Sequence, residues 1–217
     1  MMTILEKFSA LLLAVFVFLP AIASAHQPRI TESRLTEVPS PEVSKAYYAK
    51  LTGEPDVYVI NTNEPIDLYV GILVPDIEGQ SKDVSAAIIR NGDIEKPLAV
   101  LDGINFKWSK FFEEFGRDTY WKGPEYKARV GAGTYEIRVW SSNNDSLYSL
   151  AVGQIESFNP SEIISAYTTI PQIKNFFFNK PAYTAFLTPF LGVPIAILLG
   201  TLLFTGIWFW RKKYKTI

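Results

Sequence analysis

The chain has 217 residues, 48% of them hydrophobic, with a formal net charge of −1 and no cysteine. With Glu6, Lys7 and the four tail cations Arg211, Lys212, Lys213 and Lys215 set aside, 16 basic and 21 acidic residues remain; no basic stripe is present to hold nucleic acid. The missing cysteines exclude thiol nucleophiles, thiolate zinc sites and iron–sulfur clusters, and in an exported domain they favour a prokaryotic surface protein.

Residues 1–25 read as a signal peptide. A weakly charged start precedes an apolar run over 11–20, too short to span a bilayer comfortably, and Ala23-Ser24-Ala25 has the small-x-small form of a cleavage site. The rival reading is an uncleaved signal anchor. Cleavage after Ala25 makes His26, the single histidine, the new N-terminus. Its α-amine and imidazole then offer copper donors, and cleavage two residues earlier exposes Ser24-Ala25-His26, a set suited to square-planar Cu(II) or Ni(II). A histidine brace needs a second histidine, which the chain lacks. Residues 26–43 are expected to be a flexible lead-in.

From residue 44 the chain alternates between short apolar-polar runs and turn signals. The expected strands are 46–51, 57–61, 66–74, 84–90, 98–101, 126–130, 134–140 and 146–152. Asn91-Gly92, Asp102-Gly103 and Gly131-Ala132-Gly133 supply turn chemistry between them. In 134–140, Tyr135, Ile137 and Val139 fall on one face, assigned to the core, while Thr134, Glu136 and Arg138 fall on the other. The pattern predicts an all-β antiparallel sandwich of jelly-roll or immunoglobulin-like type over 44–158.

The segment 105–126 is rich in aromatics and fits that pattern least. One reading is a ligand surface made of Trp108, Phe112, Arg117, Asp118, Tyr120 and Trp121, stacking on a sugar or polymer. The other is a long connection whose aromatics plug an open edge of the sandwich. Glu113, Glu114 and Asp118 would serve glycoside hydrolysis only if held about 5 or about 6.5–9.5 Å apart. Elsewhere, 76–83 has the acidic character of a calcium loop without the EF-hand spacing. Asn144-Asp145-Ser146 is a glycosylation sequon. A histidine-based triad cannot be built around an internal imidazole, and no phosphate-binding glycine loop is present.

Gly131-Ala-Gly-Thr-Tyr-Glu-Ile-Arg-Val-Trp140, followed by Tyr148-Ser-Leu-Ala-Val152, resembles the closing hairpin of bacterial pre-peptidase C-terminal (PPC)-like β-sandwich domains. Residues 46–58 are similar to their opening strands. The resemblance implies a fold and an accessory or binding role at the cell exterior, and transfers no catalytic residues.

Past Gly153 the period changes. Pro160-Ser161-Glu162 opens a helix capped by Asn159 or Ser161, with Pro171 expected to interrupt it. Residues 159–181 are read as an amphipathic connector, on the lipid surface or under the sandwich. Residues 182–210 are read as a transmembrane helix. No charge occurs from Phe186 to Trp210, Trp208 and Trp210 form an aromatic belt, and Arg211, Lys212 and Lys213 begin a cytoplasmic tail, 211–217. Pro189 and Pro194 either kink this span or delay its start to about Val193.

The expected protein is a single-pass membrane protein with its sandwich outside. Its partners are the lipid bilayer and a protein, glycan or envelope component, with no nucleic acid, no enzymatic activity and no cofactor required beyond the calcium and copper readings above. An accessory subunit contacting a membrane assembly through the helix is the alternative, and a surface hydrolase using Glu113, Glu114 and Asp118 comes third.

Overall fold

The computed structural model describes residues 26–157 and 159–214; the expected signal peptide and residues 215–217 lie outside the described residues. Two sheets face each other. One has six strands in the order β1-β3-β11-β5-β9-β8 and the other five in the order β2-β4-β10-β6-β7. The strands are β1 Gln27–Ile30, β2 Leu35–Glu37, β3 Lys45–Lys50, β4 Asp56–Thr62, β5 Ile66–Pro75, β6 Ser85–Arg90, β7 Ala99–Leu101, β8 Ser109–Glu113, β9 Asp118–Val130, β10 Gly133–Trp140 and β11 Leu147–Val152. The sandwich is therefore mainly antiparallel, as alternation predicts, but β1 pairs with β3 and β2 with β4 in parallel.

Those two parallel pairings correct the expectation of a flexible lead-in at 26–43. Each sheet gains one short strand at an edge, and neither strand shows an apolar alternation in the sequence: β1 reads QPRI and β2 reads LTE. Edge position explains the composition, since a central strand would not accommodate Pro28.

The inter-sheet core holds Tyr58 and Ile60 of β4, Leu68, Val70 and Ile72 of β5, Tyr135, Ile137 and Val139 of β10, and Tyr148 and Leu150 of β11. The face assignment of β10 thus holds. Tyrosines in such a core need partners for their hydroxyls, and Tyr135 donates to Gly131 O at 2.6 Å. The Tyr58 and Tyr148 hydroxyls lie 2.8 Å apart, and Tyr148 donates to Asp56 Oδ2 at 2.7 Å, which satisfies all three buried groups.

The outer face of the six-stranded sheet is covered by helix α1, Pro160–Phe176. Asn159 caps it, accepting from the Glu162 N–H at 3.0 Å. Pro171 does not interrupt it: one lost backbone hydrogen bond is tolerated where neighbouring turns and tertiary packing hold the helix. Ile173, Phe177 and Phe178 pack with Tyr120 and against Ile30, Tyr48, Leu73 and Leu147. The connector therefore lies on the sandwich, the second of its two expected placements.

A short 3-10 turn, Ala182–Leu187, precedes α2, Pro189–Tyr214. Proline is well placed at the first helical position, and α2 runs through Pro194 without ending; the helix begins at Pro189, not at Val193. Phe186, expected in the span, belongs to the 3-10 turn. The stretch Pro189–Arg211 is long and apolar enough to cross a membrane, and 6% of its most apolar window is buried within the chain.

Candidate functional site

The segment 105–126 is a hairpin, β8–β9, rather than a long connection. A bulge divides β9: from Gly71 to Leu73 on β5, the partners on β9 run from Glu125 to Lys122, one residue too many. Gly123-Pro124 sits at that point, where a proline without an N–H and a glycine without a side chain are tolerated. An extra residue reverses which side chains face inward. Tyr126, Ala128 and Val130 point to the inter-sheet core, and so does Trp121, whereas Tyr120 joins the cluster under α1.

The six ligand candidates are consequently dispersed. Trp108 packs against the inter-sheet core, its indole N–H donating to Gly103 O at 2.8 Å. A Cβ on Gly123 would stand 2.5 Å from the Trp108 ring, so that glycine makes room for the indole. Trp121 carries Lys82 Nζ at 3.9 Å and Lys110 Nζ at 5.0 Å from its ring centre. Tyr120 and Asp118 are buried beneath α1, while Phe112 and Arg117 are exposed. These residues form no single stacking face.

Beneath α1 lies a cavity of about 200 Å³ lined by His26, Tyr48, Leu73, Glu113, Asp118, Tyr120 and Ile173 among others. Its polar groups satisfy one another. Lys174 Nζ meets Asp118 Oδ2 at 2.6 Å, Lys180 Nζ meets Asp118 Oδ1 at 2.8 Å, and Lys174 also donates to Gly116 O. The Tyr48 and Tyr120 hydroxyls are 2.8 Å apart. Glu113 accepts from the N–H groups of Phe115 at 2.7 Å and Gly116 at 2.6 Å, yet burial, the larger influence, pushes its carboxyl above the ordinary value. Glu113 and Asp118 thus close the β8–β9 turn, and Asp118 fastens α1 to it. Sequence reading missed Lys174 and Lys180 because their partner lies more than fifty residues upstream; a lysine on the buried face of an amphipathic helix was the available signal.

His26 does not trail as a free end: its Nδ1 is hydrogen-bonded to the Ser44 hydroxyl, and burial lowers its pKa. Among the described residues no group of three or more His, Asp or Glu side chains is placed to hold a metal ion. In the loop with calcium-like composition, Asp83 Oδ2 accepts from the Ser142 N–H at 3.0 Å. Asp83 Oδ1 and the nearby Ser141 hydroxyl are buried without a hydrogen-bond partner. Asn144 of the sequon is turned inward, accepting from the Ser141 N–H at 3.0 Å.

The head of α2 is bound into the domain. Ala166 and Ile170 of α1, Ala185 of the 3-10 turn and Leu191 of α2 form a buried cluster joined by Phe115, Tyr167 and Phe190. The Phe115 and Phe190 rings lie 4.1 Å apart. Of the sequence-assigned anchor residues, Phe186, Trp208, Trp210 and Arg211 are exposed; Lys212 and Lys213 follow within α2.

At the far edge of the five-stranded sheet, β7 pairs with β6 alone. Around it Ile94, Leu98, Val100, Ile104 and Phe106 are between 42% and 61% exposed. An open strand edge flanked by apolar side chains is a template for another chain.

No family model and no curated protein matches the sequence. Among solved structures, the chain is similar to the pre-peptidase C-terminal domain of a collagenase from Bacillus anthracis, at 12% identity over 55% of this chain and 92% of that one, with a TM-score of 0.35. It is also similar to the Yersinia pseudotuberculosis-derived mitogen, at 14% identity over the same shares, with a TM-score of 0.33. The first of these is a domain of the kind that the closing hairpin resembles in sequence; no residue role passes with the likeness.

Proposed function

We propose that the chain is a non-enzymatic, membrane-anchored sandwich that binds a protein partner on the extracytoplasmic side through the edge of β7. The apolar edge around Val100 carries this reading: β7 pairs with β6 alone, and Ile94, Leu98, Val100, Ile104 and Phe106 stand exposed around it. Absence of catalysis is supported by the carboxylates. Asp118 is neutralised by two lysines, Glu113 is held by backbone N–H groups, and Glu114 stands exposed beside them. The orientation follows from the cations after Trp210, which favour the cytoplasmic side.

A photo-crosslinker at Ile104 of the full chain in its native membrane should form a protein adduct that Val100→Lys abolishes. Equal capture from a crosslinker at Asn63, on a distant turn, would overturn the reading. A second reading, an assembly subunit contacting its partner through the span, is favoured by a shallow groove on α2 formed by Leu199, Leu202, Leu203, Gly206, Ile207 and Trp210, where a glycine permits close helix approach. Adducts formed from Leu203 and not from Ile104 would favour it.

A further inference from the structure

We infer that the turn of the β8–β9 hairpin and the 3-10 turn form a lipid-contacting rim around the head of α2, placing Phe112 and Leu187 at the boundary of headgroups and acyl chains and Arg117 on lipid phosphate. This rests on the reading that α2 spans the bilayer.

The level of the rim is fixed by packing. From Pro189 to Trp210 an α-helix extends about 33 Å, close to the roughly 30 Å hydrocarbon thickness, so the first turn of α2 lies at the outer boundary. The Phe115 ring, at the hairpin turn, rests against Phe190 in that first turn. On its other side the 3-10 turn is fixed by the buried Ala185 and Thr188. The Thr188 hydroxyl donates to Ala185 O at 2.7 Å, and the Gly192 N–H donates to Thr188 O at 2.8 Å. Both turns therefore stand where the span enters the membrane.

What they expose fits that depth. Phe112 is 52% exposed, Tyr183 65% and Leu187 71%. Single exposed apolar residues are ordinary; three on the two turns beside the head of a span make a contact surface of the interfacial kind, in which aromatic and aliphatic groups sit beside an arginine. Arg117 is exposed on a left-handed backbone, φ 56°, a conformation that glycine would adopt without strain. The acidic groups of the turn do not oppose this placement as a block: Glu113 and Asp118 face inward to their partners, which leaves Glu114 as the exposed carboxylate at headgroup depth.

The absence of cysteine makes single-cysteine labelling clean. The full chain, reconstituted in phosphatidylcholine vesicles, would carry an environment-sensitive fluorophore at Glu114→Cys, Leu187→Cys, Leu199→Cys or Asn63→Cys. Asn63 lies at the opposite end of the sheet, about 40 Å from the hairpin turn along β9. Shallow spin-labelled lipids should quench the probes at 114 and 187 several-fold more than the probe at 63, and deep ones should quench the probe at 199. Phe112→Ser combined with Arg117→Gly should lower quenching at 114 by several-fold without altering quenching at 199. Quenching at 114 no greater than at 63, with 199 still quenched, would overturn the rim and leave the span standing. Failure at 199 as well would remove the span and the rim with it.

Discussion

Lys174 of α1 and Asp118 of β9 meet with Nζ 2.6 Å from Oδ2, and both side chains are 3% exposed. Such a pair repays its desolvation only when every remaining donor and acceptor is satisfied. Gly116 O takes a second proton from Lys174, and Lys180 takes the other Asp118 oxygen. The two removals are therefore unequal. Asp118→Asn leaves an ammonium buried with one carbonyl and should destabilise the detergent-solubilised chain by about 3–5 kcal/mol. Lys174→Met leaves Asp118 paired with the more exposed Lys180 and should cost about 1–3 kcal/mol. Chemical denaturation followed by tryptophan fluorescence measures both, and equal losses would show that Lys180 does not compensate.

Trp108 looks like a ligand residue in the sequence, but mutating it should report on the fold. Its indole fills space that Gly123 vacates, and a Cβ there would also lie 3.0 Å from Ile72 O. Gly123→Ala should cost about 1–3 kcal/mol by overpacking. Trp108→Ala should cost about 3 kcal/mol, since the ring is partly buried and its core contacts vanish. Thermal melts of the two variants test this. A Trp108→Ala chain as stable as the parent would return the residue to the list of binding candidates.

Strands with clean alternation around the inter-sheet core were legible, because one face is apolar and the other wet. Residues 134–140 show it best. Four elements were not, among them β8, whose Phe111 and Phe112 are both exposed. β1 and β2 are edge strands held by backbone pairing, so their side chains carry no period. The first half of β9 is out of phase with the second because of the bulge at Gly123-Pro124, and a period-two pattern broken by one residue reads as irregular. The clasp of Asp118 with Lys174 and Lys180 depends on long-range contact between a hairpin and a helix, for which charge type alone gives no pairing. The apolar run ending at Trp210 was visible as a membrane-length helix, yet its attachment through Phe115 and Phe190 was not, since the two rings lie far apart in the chain.

Alkali should unfold the domain in a cooperative step tied to its tyrosines. Burial raises Tyr47 and Tyr69 to about 12, holds Tyr48, Tyr58 and Tyr148 higher still, and lifts Tyr120 well above the ordinary value of 10.0. Above that ordinary value the unfolded chain releases phenolic protons that the folded chain retains. Fewer protons are then bound in the unfolded state, and stability falls as pH rises through this window. The tyrosinate absorbance should accordingly rise in two stages, exposed phenols first and the buried set together with loss of near-ultraviolet circular dichroism. A single smooth titration with the fold intact would contradict the burial of the Tyr58–Tyr148 and Tyr48–Tyr120 pairs.

Adjacent positions in the hairpin turn should respond to substitution with opposite sign. Arg117 holds a left-handed backbone, which costs an L-residue about 1–2 kcal/mol. Glycine there removes that strain, but it frees the unfolded chain by about 0.4–1 kcal/mol. Relief is the larger effect, so Arg117→Gly should stabilise the chain by about 0.5 kcal/mol net. Gly116 is the reverse case. Its backbone is ordinary, but a Cβ would stand 3.0 Å from Glu113 Oε2 and 3.2 Å from Asp118 Oδ2. Those carboxylates cannot withdraw freely, because one accepts two backbone N–H groups and the other is held by two lysines. Gly116→Ala should therefore cost about 1–3 kcal/mol. If denaturation midpoints moved in the same direction for both variants, the turn would not have the conformation that places Phe115 against Phe190.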